Sequence, residues 1–257
     1  VKVRVLESLT YRFEVLTGVA TRLVVLATAV YLWRAAFSGV GEASGTTEDE
    51  MVRYAIMSAA VGPVLASRVA GKVHERVRTG DISLDLLRPI AMPAKWLAED
   101  IGESVVAGLL LSLPLVVFGT LLFGPALPAG PAAALLFPIS VALGYGVSWL
   151  ISALCALIPL WALEIGNLGH AKDAVLRILS GSLVPLWFFP EWAQDVSKFL
   201  PFQYTYQAPL AIFIGKDLRA GQVAQGFLAQ AVWILILGAI FAWGWSRGRR
   251  RLMTQGG

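Results

Sequence analysis

Charged side chains are scarce in this sequence and unevenly placed. Only 15% of its 257 residues are Asp, Glu, Lys or Arg, against roughly 25% in a typical soluble domain. Too few remain to coat a water-covered globule, and that class is excluded. From Ser104 to Leu163 sixty consecutive residues carry no charge, and Ala220 to Ser246 form another such run. Cysteine is nearly absent: Cys155 stands alone inside an apolar run, which excludes an intramolecular disulfide and a Cys/His metal spacing and leaves a small packing residue. His74 and His170 lie far apart, each without a second ligand at metal spacing. A phosphate-binding loop needs Ser or Thr after its Gly-Lys. Here Gly71-Lys72 is followed by Val73, and Gly215-Lys216 by Asp217. Ala43-Ser44-Gly45 sits in an acidic loop, not at the head of an apolar helix, so it is a poor protease nucleophile. A non-catalytic chain that binds no cofactor and no metal is the expectation.

What is present is apolar. Hydrophobic residues make up 57% of the chain, and the mean hydropathy is +0.69. The pI near 9.4 comes from short basic clusters between apolar segments, a pattern that fits membrane orientation better than nucleic acid. Between Lys2 and Leu16 the residues Val5, Leu6, Leu9, Phe13 and Leu16 share one helical face. This predicts a helix on the inner membrane surface, with a soluble cap as the alternative. An amphipathic stretch ahead of the first span does not fit a cleavable signal peptide.

Six spans are expected, each near the roughly 20 residues that cross the hydrocarbon layer: about Val19–Phe37, Met51–Ala70, Ile101–Phe123, Ala132–Leu157, Ala174–Leu186 and Ala220–Trp245. Arg22 and Arg34 flank the centre of the first and can snorkel to opposite surfaces. Three prolines and two glycines between Gly124 and Pro131 separate the third from the fourth. With the N-terminus inside, inner segments hold thirteen Lys and Arg, outer segments only Lys198, Lys216 and Arg219. The positive-inside rule then puts both termini in the cytoplasm of a multi-pass inner-membrane protein.

Residues 180–221 are too aromatic for a solvated loop and too rich in proline for a span. Pro190 fits the start of a helix, Glu191 complements its dipole, and Pro201 ends it. Trp192, Val196, Phe199 and Leu200 fall on one face, away from Gln194, Asp195, Ser197 and Lys198. That face is expected to be buried and to hold the helix in place. A re-entrant hairpin wedged against neighbouring spans is the expectation, with an ordinary outer cap as the alternative. At the inner side Glu164, Asn167, His170, Lys172 and Asp173 form the densest polar cluster, either contacting substrate or forming a hydrated turn.

The run Ser180-Gly181-Ser182-Leu183-Val184-Pro185-Leu186-Trp187-Phe188-Phe189-Pro190-Glu191-Trp192, followed by Leu200-Pro201-Phe202 and Pro209-Leu210, resembles the region after the fifth span of ABC-2 type permeases. It resembles in particular the subgroup of roughly 260-residue permeases that includes viologen exporters. Arg78-Thr79-Gly80-Asp81-Ile82, then Leu86-Leu87-Arg88-Pro89-Ile90, is similar to that subgroup's inner loop. The resemblance spans nearly the whole chain. It implies a single all-α transmembrane domain over residues 1–257 and type V exporter architecture. Two permease chains, identical or related, would be joined by two cytosolic ATPase subunits that hold ATP and Mg. It implies that loop 71–95 couples to the ATPase through Arg78, Gly80, Asp81, Ile82, Asp85, Leu86, Arg88 and Pro89. Asp81 would cap a helix from Ile82 to Leu87 that Pro89 stops; a basic loop attracted to anionic lipid is the alternative. Pro185, Pro190, Glu191, Trp192, Val196, Phe199, Leu200 and Pro201 are the candidate outer gate. The cargo expected is an amphipathic, lipophilic or delocalised-cation compound. The rivals are a secondary transporter, which would need a coupling-ion site that the charge-free middle does not offer, and, more remotely, a membrane-embedded enzyme.

Overall fold

The computed structural model describes residues 2–81, 91–160, 168–216 and 220–255. Almost every described element is helical, and five helical segments are long and apolar enough to cross a membrane. The chain is an all-α, multi-pass membrane protein.

The first helix, α1, runs unbroken over Lys2–Phe37. The surface helix and first span expected as two elements are therefore one, since nothing between Phe13 and Val19 interrupts the backbone ladder. A two-residue hairpin follows, β1 (Glu42–Ala43) against β2 (Thr46–Thr47). Thr47 then starts α2 (Glu48–Leu65) with a capping box: Glu50 N–H donates to its side chain, and its own N–H donates to the Glu50 carboxylate at 2.8 Å. Glu48, Asp49 and Glu50 in the first turn complement the helix dipole.

The second span is not continuous. α2 stops at Leu65, two residues after Pro63, and α3 (Val69–Thr79) begins beyond Ala66–Arg68. α4 (Met92–Ala107) opens nine residues before the expected third span, so Glu99, Asp100 and Glu103 lie inside a helix. It passes through a π-turn over Gly108–Ser112 into α5 (Leu113–Phe123). Pro114 explains the turn: it has no N–H to give, and Leu113 N–H reaches back five residues to Gly108 O. α6 spans Pro131–Leu157 as expected.

The expected fifth span, about Ala174–Leu186, ends earlier: among the described residues its helix, α7, covers Leu168–Leu179, and 180–185 are irregular. The chain then forms a 3₁₀ turn (Leu186–Phe188), α8 (Glu191–Lys198), a second 3₁₀ turn (Phe202–Tyr204) and α9 (Gln207–Ile214). The last helix, α10, covers Ala220–Gln255.

Two apolar clusters meet at Tyr145. One joins Leu26, Val30 and Phe37 of α1, Met51, Tyr54 and Ile56 of α2, and Leu210 and Phe213 of α9. The other joins Val69 and Val73 of α3, Met92 and Trp96 of α4, Val147 and Ile151 of α6, and Leu237 and Phe241 of α10. Burial is 61% along the apolar window of α2–α3 and 11% along that of α1. The second span is therefore central, and most of the α1 window faces away from the rest of the chain.

Candidate functional site

A helix interrupted at membrane depth frees carbonyls and N–H groups, and in hydrocarbon each must find a protein or water partner. At the α2–α3 break the protein supplies them. Ser148 Oγ donates to Leu65 O at 2.7 Å, and Ser152 Oγ to Ser67 O at 3.5 Å. Lys172 on α7 donates from Nζ to Ser152 Oγ at 2.9 Å and to Ser67 O at 3.3 Å. On the opposite side Arg68 N–H, at the opening of α3, donates to Asp100 Oδ1 at 3.0 Å. The other Asp100 oxygen accepts Tyr145 OH at 2.7 Å.

Asp100 is 2% exposed. A buried carboxylate is costly unless its lone pairs are met; here a helix N-terminus and a phenol meet them. The break is thus a joint braced by α4, α6 and α7, with α3 leading from it to the segment after Thr79.

Part of this joint is legible in the sequence. Tyr145, Ser148 and Ser152 recur at i, i+3 and i+7, one helical face, in an otherwise apolar span. Asp100 and Lys172 gave no such signal, being charges at apparent span ends, where charges are ordinary.

Of the coupling residues, Arg78 pairs with Glu75 at 2.8 Å in the last turn of α3. Gly80 closes that helix at φ 82°, a left-handed conformation suited to glycine. Asp81 is exposed and accepts Thr79 Oγ1 at 2.7 Å. Ile82, Asp85, Leu86, Arg88 and Pro89 lie outside the described residues, and the expected helix from Ile82 to Leu87 with them. Glu164 and Asn167 also lie outside. His170 is in α7, and Asp173 is exposed and pairs with Lys172 at 3.0 Å. Lys172, which turns inward to the joint, is the consequential member of that cluster.

Residues 180–216 are tied to α2 and α6 by polar side chains. Tyr54 OH donates to Gly181 O at 2.7 Å, and Ser58 Oγ to Ser182 O at 2.6 Å. Gln207 Oε1 accepts Leu186 N–H at 3.1 Å. The fully buried Gln230 donates to Ser140 O at 3.0 Å and Tyr204 O at 2.9 Å. Pro209 through Ile214 of α9 are all buried. Lys216 Nζ bridges to Ser44 O and Thr46 Oγ1 and stands 4.4 Å from the Trp187 ring, tying this segment to the β-hairpin.

Pro185 and Pro201 are buried ahead of the two 3₁₀ turns, and Pro190 directly precedes α8 with Glu191 in its first turn. The apolar face expected on α8 turns away from the rest of this chain. Trp192, Val196 and Phe199 are 71%, 53% and 80% exposed, and Leu200 is only half-buried. Ser197 faces inward instead, and Gln194 Nε2 holds the helix by donating to Phe189 O at 2.8 Å and Trp187 O at 3.3 Å. Amphipathic spacing identifies a distinct face but not its direction: in a membrane protein the apolar side can point outward and the polar side inward.

Among the described residues no group of His, Cys, Asp and Glu could hold a metal ion. No curated protein matches the sequence. Residues 23–256 match the family described as ABC-2 family transporter protein. With nearly all of its length covered and its membrane helices in place, the chain belongs to that family.

Proposed function

We propose that this chain is the membrane-spanning permease subunit of an ATP-binding-cassette exporter, moving an amphipathic or lipophilic small molecule out of the cell. ATP, with Mg, is hydrolysed by separate cytosolic subunits, two per complex, and this chain is not an enzyme. It pairs with a second permease, identical or related, in a type V arrangement in the inner membrane with both termini cytoplasmic. The viologen-exporter subgroup and a role in multidrug efflux are the finer placement.

The observation that carries this reading is the braced joint between α2 and α3. α3 leads to the inner loop proposed to seat on the ATPase, and α2 carries Tyr54 and Ser58, which hold the outer segment. A displacement of the inner loop on ATP binding therefore has a continuous packed route to residues 180–216, proposed as a re-entrant hairpin that closes the exit. The test is ATP-dependent uptake by inside-out vesicles containing the chain, a partner permease and the ATPase. Uptake that persists with a hydrolysis-dead ATPase would refute the assignment.

One observation favours secondary transport: a buried carboxylate, Asp100, at a broken helix. Uptake driven by an imposed proton gradient without ATP, and lost in Asp100→Asn, would establish that alternative.

A further inference from the structure

A cavity of about 690 Å³ opens between α1, α3 and α4, and its basic lining residues are Arg22, Arg68, Lys72 and Arg76. Lys72 pairs with Glu103, and Arg76 with Glu99 at 2.9 Å. Arg22 and Arg68 have no acidic side-chain partner among the described residues, and Arg22 also feels the charge of Arg177 on α7. Two guanidinium groups thus line the cavity with no carboxylate of their own among the described residues. Arg22 stands seven residues, about 10 Å, beyond the start of the apolar stretch at Val15, where unpaired charge is expensive.

The cavity has a second chemistry. Val106, Leu110 and Leu111 line it beyond the charges, and Glu103 Oε2 is buried without a donor. Its ligand therefore has an anion for the arginines, a neighbouring hydroxyl or ammonium for Glu103, and an apolar tail. Arginine suits the first requirement, since its planar fork binds phosphate and carboxylate in two-point fashion.

We propose that this cavity binds the headgroup of an anionic amphiphile, a phosphate or carboxylate beside a hydroxyl or ammonium donor, with its tail along Val106, Leu110 and Leu111. Two sources share that chemistry: a lipid of the inner leaflet, and an amphipathic cargo captured from it. Binding is a property of this chain alone and stands apart from the export reading.

The test uses the full-length protein in phosphatidylcholine nanodiscs, with pyrene-labelled phosphatidylglycerol as probe. The probe should bind saturably, be displaced by unlabelled phosphatidylglycerol, and resist equal amounts of added phosphatidylcholine. Arg22→Gln with Arg68→Gln should weaken binding by about tenfold per guanidinium lost, the scale of a charge-assisted hydrogen bond. Arg22→Lys with Arg68→Lys should retain much of it, separating lost charge from lost fold. Lys198→Gln, on the exposed outer helix, should change nothing. Equal displacement by phosphatidylcholine, or unchanged affinity in the glutamine pair, would overturn the site. With the ATPase present, probe retained through ATP turnover assigns the site to structural lipid, and probe delivered to the opposite leaflet assigns it to cargo.

Discussion

Lys172 and Ser152, on α7 and α6, are joined at 2.9 Å directly beneath the carbonyl of Ser67. The same ammonium reaches both, so it stands in for the missing helical hydrogen bond where the second span breaks. Lys172→Met should keep the apolar stem and remove the donor, a loss of about 1.5–3 kcal/mol of local stability for each bond from the charged ammonium. Amide exchange at 67–70 should accelerate relative to that of α6, and transport per ATP should fall in the assembled complex. Unaltered exchange would show that the lysine only fills space.

Asp100 accepts from Arg68 N–H and Tyr145 OH on opposite oxygens. Asp100→Ala strands both donors in a buried site and should cost about 1–3 kcal/mol for each one left unpaired. Asp100→Asn keeps one acceptor and should cost less. Thermal unfolding in a single detergent would rank the two, and equal midpoints would count against the capping role.

Gly144 lies where α6 meets the outer segment, and a Cβ there would stand 2.7 Å from Thr205 O and 3.1 Å from Tyr204 O. Both neighbours are backbone and cannot swing aside. Gly144→Ala should therefore destabilise by about 1–3 kcal/mol, as overpacking does. Gly238→Ala, with nothing within 4 Å, should be neutral or slightly stabilising. A stable Gly144→Ala variant would mean that the outer segment sits loosely on α6.

Because Gln194 holds α8 while Trp192 and Phe199 face away from the protein, the two sides of this helix should respond differently. Gln194→Leu should loosen α8 and raise basal ATP hydrolysis or leak in the complex. Phe199→Asp should leave the chain folded, since it removes no internal contact, while weakening its seating in lipid or against a second permease. Equal effects on folding from both would contradict the outward orientation.

Orientation is tested chemically. With Cys155 replaced by Ala, cysteines at Asp49 or Asp195, both exposed, should react with an impermeant maleimide on intact cells. A cysteine at Thr79 should react only after lysis. Labelling of Thr79 on intact cells would reverse the topology and remove the coupling argument.

The sequence by itself determined where the five long apolar helical segments lie, because apolar length and the cost of burying charge are local properties. The sixty-residue uncharged run resolves into two crossings at the Gly/Pro cluster near Gly124, and Pro190 with Glu191 marks the short outer helix. The break at Ala66–Arg68, the irregular backbone after Leu179 and the outward apolar face of α8 were decided only in three dimensions. The break depends on partners far away in the chain: Ser148, Ser152 and Lys172 for the carbonyls of Leu65 and Ser67, and Asp100 for Arg68 N–H. Backbone leaves a regular helix inside a membrane only where such partners converge. Their convergence is a property of packing, and no local pattern of hydropathy encodes it.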